Sequence, residues 1–111
     1  MNFVSIPKPI SKASVAATKV TVSASQCQLH GLVVVNQTAA EAFLQIFDKA
    51  AGDVTVGTTV PDYFVPIPAS GGVVLPLALF GFQHLIGIVI ACTTSPTNNV
   101  GAACDITLFV K

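Results

Sequence analysis

The chain has 111 residues, 52% of them hydrophobic, and a formal net charge of zero from five Lys and five acids with no Arg. A length of this order suits a single domain, and neutrality without Arg offers little to a nucleic-acid backbone. The surface of a free monomer usually carries charge at about a quarter to a third of its positions, and a short chain cannot hide this much apolar material in its own core. The surplus points to a partner chain, an assembly or a bilayer, and so to a structural or interaction protein rather than a free enzyme. The charges are unevenly placed: Lys8, Lys12 and Lys19 precede any acid, whereas Lys49 and Lys111 accompany Glu41, Asp48, Asp53, Asp62 and Asp105.

Residues 1–16 read as an extended arm, because Pro7 and Pro9 oppose helix. Met1–Ile10 has no uninterrupted apolar core of signal-peptide length, so a cytosolic origin is expected. The arm is expected to leave the domain and lie on a neighbouring subunit or another surface of the assembly, with Pro7, Lys8, Pro9 and Lys12 as its contacts. From Thr18 the pattern is β. Lys19–Ser23 alternates polar and apolar residues as a half-buried strand does. Leu29–Asn36 contains Leu32-Val33-Val34-Val35, a run suited to a strand buried on both faces. Thr38–Glu41 is a polar link. Ala42–Asp48 places Phe43, Gln45 and Phe47 on one face and Leu44 and Ile46 on the other. Ala50–Asp53 is a turn, and Val54–Val60 is a Thr/Val segment broken by Gly57 and ended by Pro61.

Tyr63–Ile67 is a short strand whose prolines, Pro66 and Pro68, confine it to an edge or a strand end. Val73–Leu77 follows a Gly-Gly loop. Ile86–Thr94 sets Ile86, Ile88, Ile90 and Cys92 against Gly87, Val89 and Ala91. Asp105–Lys111 points Ile106, Leu108 and Val110 inward, and Thr107 and Phe109 outward. Short strands with turn signals at roughly 8–12-residue spacing predict an all-β fold, a single antiparallel β-sandwich or small barrel over residues 17–111. Its two-faced strands imply that one sheet packs inward while its outer face meets another chain. Phe43, Phe47 and Phe109 are the candidate outward apolar residues.

Val73–Cys92 carries no charge and is long enough to span a bilayer. Gln83 and His84 at its middle, Pro76, Gly81 and Gly87 within it, and the absence of Lys between Lys49 and Lys111 oppose that use. A pair of strands around a Gly-Phe-Gln-His turn is the preferred account. No membrane partner is expected.

Chemistry-bearing motifs are scarce. Cys27, His30, Cys92 and Cys104 are the ligand types of a Cys3His zinc site, but the second cysteine pair is too widely spaced. Small buried hydrophobes explain the thiols better, and a Cys92–Cys104 bridge stays open. His30 reads as a strand-face residue and His84 as an exposed loop residue. There is no G-x-S-x-G elbow, P-loop or H-E-x-x-H. No catalytic, metal or cofactor site is expected, and no nucleic-acid partner.

Leu32–Asn36, Ala42–Asp48, Val56–Pro61 and Gly87–Thr94 resemble segments of small proteins encoded by tailed bacteriophages. The resemblance covers roughly residues 30–111 and leaves the arm outside it. It implies a capsid decoration, or cement, protein: a homo-oligomer, dimer or trimer, that binds the phage major capsid protein on the outer capsid surface of a virion assembled in the host cytoplasm. Another phage structural subunit (tail, head fibre or connector) is the alternative. A glycan-binding module is disfavoured, because the chain has no Trp and one Tyr.

Overall fold

The computed structural model describes residues 7–76 and 82–111. Nine strands are present among them: β1 (Lys8–Val15), β2 (Val20–Ser23), β3 (Cys27–Asn36), β4 (Ala42–Phe47), β5 (Tyr63–Ile67), β6 (Gly72–Pro76), β7 (Phe82–His84), β8 (Ile88–Thr93) and β9 (Cys104–Val110). One 3-10 turn, Ala51–Asp53, falls where a turn was expected. The strands form two antiparallel sheets. The first has the order β1-β9-β3-β6, with β7 also on β3; the second has the order β2-β8-β4-β5. The expected all-β sandwich is therefore the fold.

β6 and β7 lie end to end along one edge of β3, with Pro76 opposite Gly31 and Phe82 opposite Leu29. Taken as one interrupted strand, they leave eight strands whose sheet assignments and neighbours are those of a jelly roll, the double-sheet arrangement of two Greek keys. The expected turn at residues 81–84 is corrected here: Phe82–His84 is strand, paired with Cys27–Leu29. Gly81 lies outside the described residues. No helix among the described residues is long and apolar enough to cross a membrane.

The core follows the period-2 patterns. Leu29, Leu32 and Val34 of β3 and Ile106 and Leu108 of β9 face Leu44 and Ile46 of β4 and Ile88, Ile90 and Cys92 of β8, all at most 2% exposed. β5 occupies an edge, as its prolines require.

The arm is the main departure. Residues 8–15 pair antiparallel with β9, from Lys8 opposite Val110 to Val15 opposite Cys104, and Val15 is in the core. This segment is thus an edge strand of its own chain's sandwich. The prolines kept it extended as expected, and a proline at a sheet edge need leave no ladder bond unmade. The register slips between Lys12 and Val15, where Ser14 adopts a positive φ of 52°.

Asn36 closes the end of β3. Its buried amide donates to the carbonyls of Ala40 (2.8 Å) and Pro68 (3.1 Å), and its Oδ1 accepts from the Thr38 amide (2.9 Å) and hydroxyl (2.7 Å). One side chain therefore fixes both the β3–β4 link and the β5–β6 loop. Asn36→Ala should remove all four of these bonds, with partners that water can partly reach, and lower stability by about 1–2 kcal/mol. A reduced urea midpoint with an unchanged m-value checks this, and an unchanged midpoint contradicts it.

Candidate interaction surface

The outer face of the first sheet is assembled by cross-strand register. Val33 stands between Thr107 on β9 and Val74 on β6; Val35 stands between Asp105 and Gly72; Phe109 stands beside Pro9 and opposite Gly31. Val74 is 72% exposed and Val35 47%. Phe109, Val33, Val74 and His30 line a shallow apolar groove of about 230 Å³ on this face. The one acid here, Asp105, is occupied within the chain: its carboxylate accepts from the Ser14 amide at 2.9 Å and from the Gln37 side chain.

Leu32–Val35 was expected to be buried on both faces. Its inner face is buried, but Val33 is only partly covered and Val35 is exposed, since no other element crosses this side of the sheet among the described residues. The apolar run in the sequence marks an open face here.

The outer face of the second sheet is different, and it corrects the expectation for Phe47. Phe47 does point outward, but it is fully buried with Val89 beneath Val54, Ala51 and Val56. The Lys19 ammonium pins that cover by donating to the carbonyls of Ala51 and Val54, each at 2.6 Å. The neighbouring Gln45 is also fully buried; its amide nitrogen donates to Thr93 Oγ1 (2.7 Å) and to the Asn98 carbonyl (3.0 Å), which holds residues 95–99 over the sheet. Phe43 remains half-exposed, edge-to-face with Phe64 at 6.0 Å between centroids.

Of the other expected contact residues, Pro9 and Phe109 come together on the open face. Lys8 and Lys12 sit on β1 opposite Val110 and Ile106, and Pro7 immediately precedes that strand. Phe43 lies on the opposite side of the sandwich. The residues that sequence reasoning missed are Val35 and Val74. The signal for Val74 was available, since it alternates with Val73 and Leu75, which pack on the core.

His84 was expected in an exposed loop and is instead 1% exposed. Its Nδ1 lies 2.8 Å from the Gly87 carbonyl, which can only accept, so Nδ1 carries a proton and donates there, while Nε2 lies 2.6 Å from the Tyr63 hydroxyl. His84 belongs to the first sheet and Tyr63 to the second, so this bond joins the two. Burial holds the Tyr63 hydroxyl well above its ordinary pKa, reinforced by Asp48 and Asp62, so it stays protonated. Asp48 accepts three successive amides, Leu85 (3.0 Å), Ile86 (2.9 Å) and Gly87 (3.2 Å). Gly87 is required at this turn, since a Cβ there would come within 2.5 Å of the Ser23 carbonyl.

No group of three or more His, Cys, Asp or Glu gathers among the described residues. Cys27 pairs with His84 at the start of β3, whereas Cys92 and Cys104 lie at the far end of the sandwich; all three are free thiols. No family model, curated protein or solved structure matches the chain.

Burial works to raise the Asp48 carboxyl, but the amides of Ile86, Leu85 and Gly87, with His84, outweigh it and hold the pKa below 3.8. A depressed carboxyl contributes stability that is present above its unfolded value and is lost as pH falls through its folded value. Between pH 5 and pH 2 the wild type should therefore lose more stability than Asp48→Asn, and the two should converge at the acid end. Urea midpoints across this range check it; parallel curves contradict it.

Proposed function

We propose that this chain is a non-enzymatic structural virion subunit, a capsid decoration (cement) protein that self-associates and stabilises a phage shell. The observation that carries this reading is the uncovered apolar face around Val33, Val35, Val74 and Phe109 in a chain with so few charges. Asp105, the acid on this face, is held by bonds to the Ser14 amide and the Gln37 side chain, so it does not oppose close approach of another surface there.

The occupant of this face is a second copy. The face spans four strands at about 4.8 Å spacing and the ten residues of β3 at about 3.3 Å each, or roughly 600 Å² per copy. Two copies face to face bury about 1,200 Å², the lower limit of stable specific interfaces. The jelly-roll topology supports a capsid-associated role, since viral capsid domains use it. Topology alone does not imply function, and the apolar face carries the argument. Many modest contacts repeated over a shell then add through multivalency.

Sedimentation of the full chain at micromolar concentration tests self-association. The wild type should be a dimer. The double variant Val35→Lys and Val74→Lys, both at exposed positions, should keep its β spectrum and become monomeric. A monomeric wild type, or a variant that sediments unchanged, overturns the interface. In purified particles, staining of this protein near that of the major capsid protein supports decoration; a few copies per particle favours a tail or connector subunit.

A further inference from the structure

β8 delivers its last residues to the second sheet, and β9 begins in the first. The crossover between them is tightly held. Ala102 donates its amide to the Cys92 carbonyl at 3.1 Å, Thr94 donates to the Val100 carbonyl at 2.9 Å, and Thr93 bridges Gly101. The chain then passes only through Ala103 before Cys104 enters β9. Cys92 and Cys104 are thus brought to the same end of the core from opposite sheets, both fully buried in one apolar cluster. Cys27 is excluded from this pairing. It starts β3, whereas Cys104 lies opposite Asn36 at the end of that strand, about 30 Å away at roughly 3.3 Å per residue.

We infer that Cys92 and Cys104 form an inter-sheet disulfide when the chain folds or transiently opens in the presence of a small-molecule disulfide such as oxidised glutathione. One protein thiolate attacks the glutathione disulfide and releases one reduced glutathione. The second protein thiolate then attacks the mixed disulfide at the protein sulfur and releases another. Two protein thiols are oxidised, one glutathione disulfide is reduced, and the two protons end on the released glutathione thiols. Burial pushes both thiols up, so the reduced folded pair is protonated and inert. The bond is therefore made before the sandwich closes or while it is open. Once formed, it staples the two sheets at the end where the chain crosses between them.

The full chain, reduced and unfolded in guanidinium, is refolded across a series of oxidised-to-reduced glutathione ratios, quenched with acid and assayed for thiols in denaturant. The count should fall from three to one. Lysine-specific cleavage separates the sites, because residues 50–111 contain Cys92 and Cys104 while residues 20–49 contain Cys27. The 50–111 peptide should lose two hydrogens and the 20–49 peptide none. The bridge closes a loop of about a dozen residues and should raise the Tm by about 10 °C over the reduced protein. Cys92→Ala should keep two thiols at every ratio. Three thiols in the wild type at every ratio, a bridge that includes Cys27, or a bridged form with a lower Tm than the reduced one overturns the inference. The wild-type peptide masses decide it even where the alanine variant does not fold.

Discussion

Apolar strand faces that point away from the shared core have to be covered, and the two sheets meet this constraint differently. The second sheet is covered by its own chain over Phe47 and Gln45, while Phe43 and Phe64 stay accessible at its β5 edge. Residues 51–56 lie over Phe47 and Val89, residues 95–99 lie over Gln45, and Lys19 and the Gln45 amide hold these covers down. Among the described residues the first sheet has no such cover, and Val35 and Val74 on its outer face are exposed. Burying apolar area is favourable by about 25 cal/mol per Å², so the uncovered face is where another molecule gains most by binding.

The buried polar groups occupy the points where loops must be tied to sheets. Asn36 anchors two links, Gln45 anchors the segment before β9, and His84 with Tyr63 bridges the sheets. An unpaired polar group in a low-dielectric interior is expensive, while a satisfied one fixes geometry. In a chain so poor in charge, these few side chains supply the directionality that apolar packing lacks. Asp48 extends the same logic to the partly exposed β7–β8 turn, where one carboxylate collects three amides that would otherwise compete for water.

The strands were legible because alternation is a direct imprint of the pleat. β9 shows this most clearly, with Cys104, Ile106 and Leu108 buried and the residues between them partly exposed. Pro66 likewise predicted the edge position of β5. What alternation cannot reveal is whether a distant loop covers an outward residue. Phe47 and Val35 look equivalent as outward apolar residues, yet one is fully buried and the other 47% exposed. His84 was misplaced for the same reason: its environment is built by Tyr63 and Gly87 across a sheet-to-sheet contact. The N-terminal segment was correctly extended, but its partner, β9, lies at the other end of the chain.

The edges of the sandwich further restrict how copies can meet. An open strand edge is a ready template for pairing with another chain, and prolines or short strands block it. β1 carries Pro9, β5 carries Pro66, β2 has four residues, and the edge facing β3 is divided between β6, which ends at Pro76, and the three-residue β7. Each free edge is therefore short or lacks a donor. Strand-by-strand extension into a continuous sheet is disfavoured at all four. Contact through the face remains, where side chains rather than backbone amides meet. A face-to-face contact closes on itself around a two-fold axis and ends growth at a defined oligomer. An edge contact would instead propagate, and the short or proline-bearing edges oppose that.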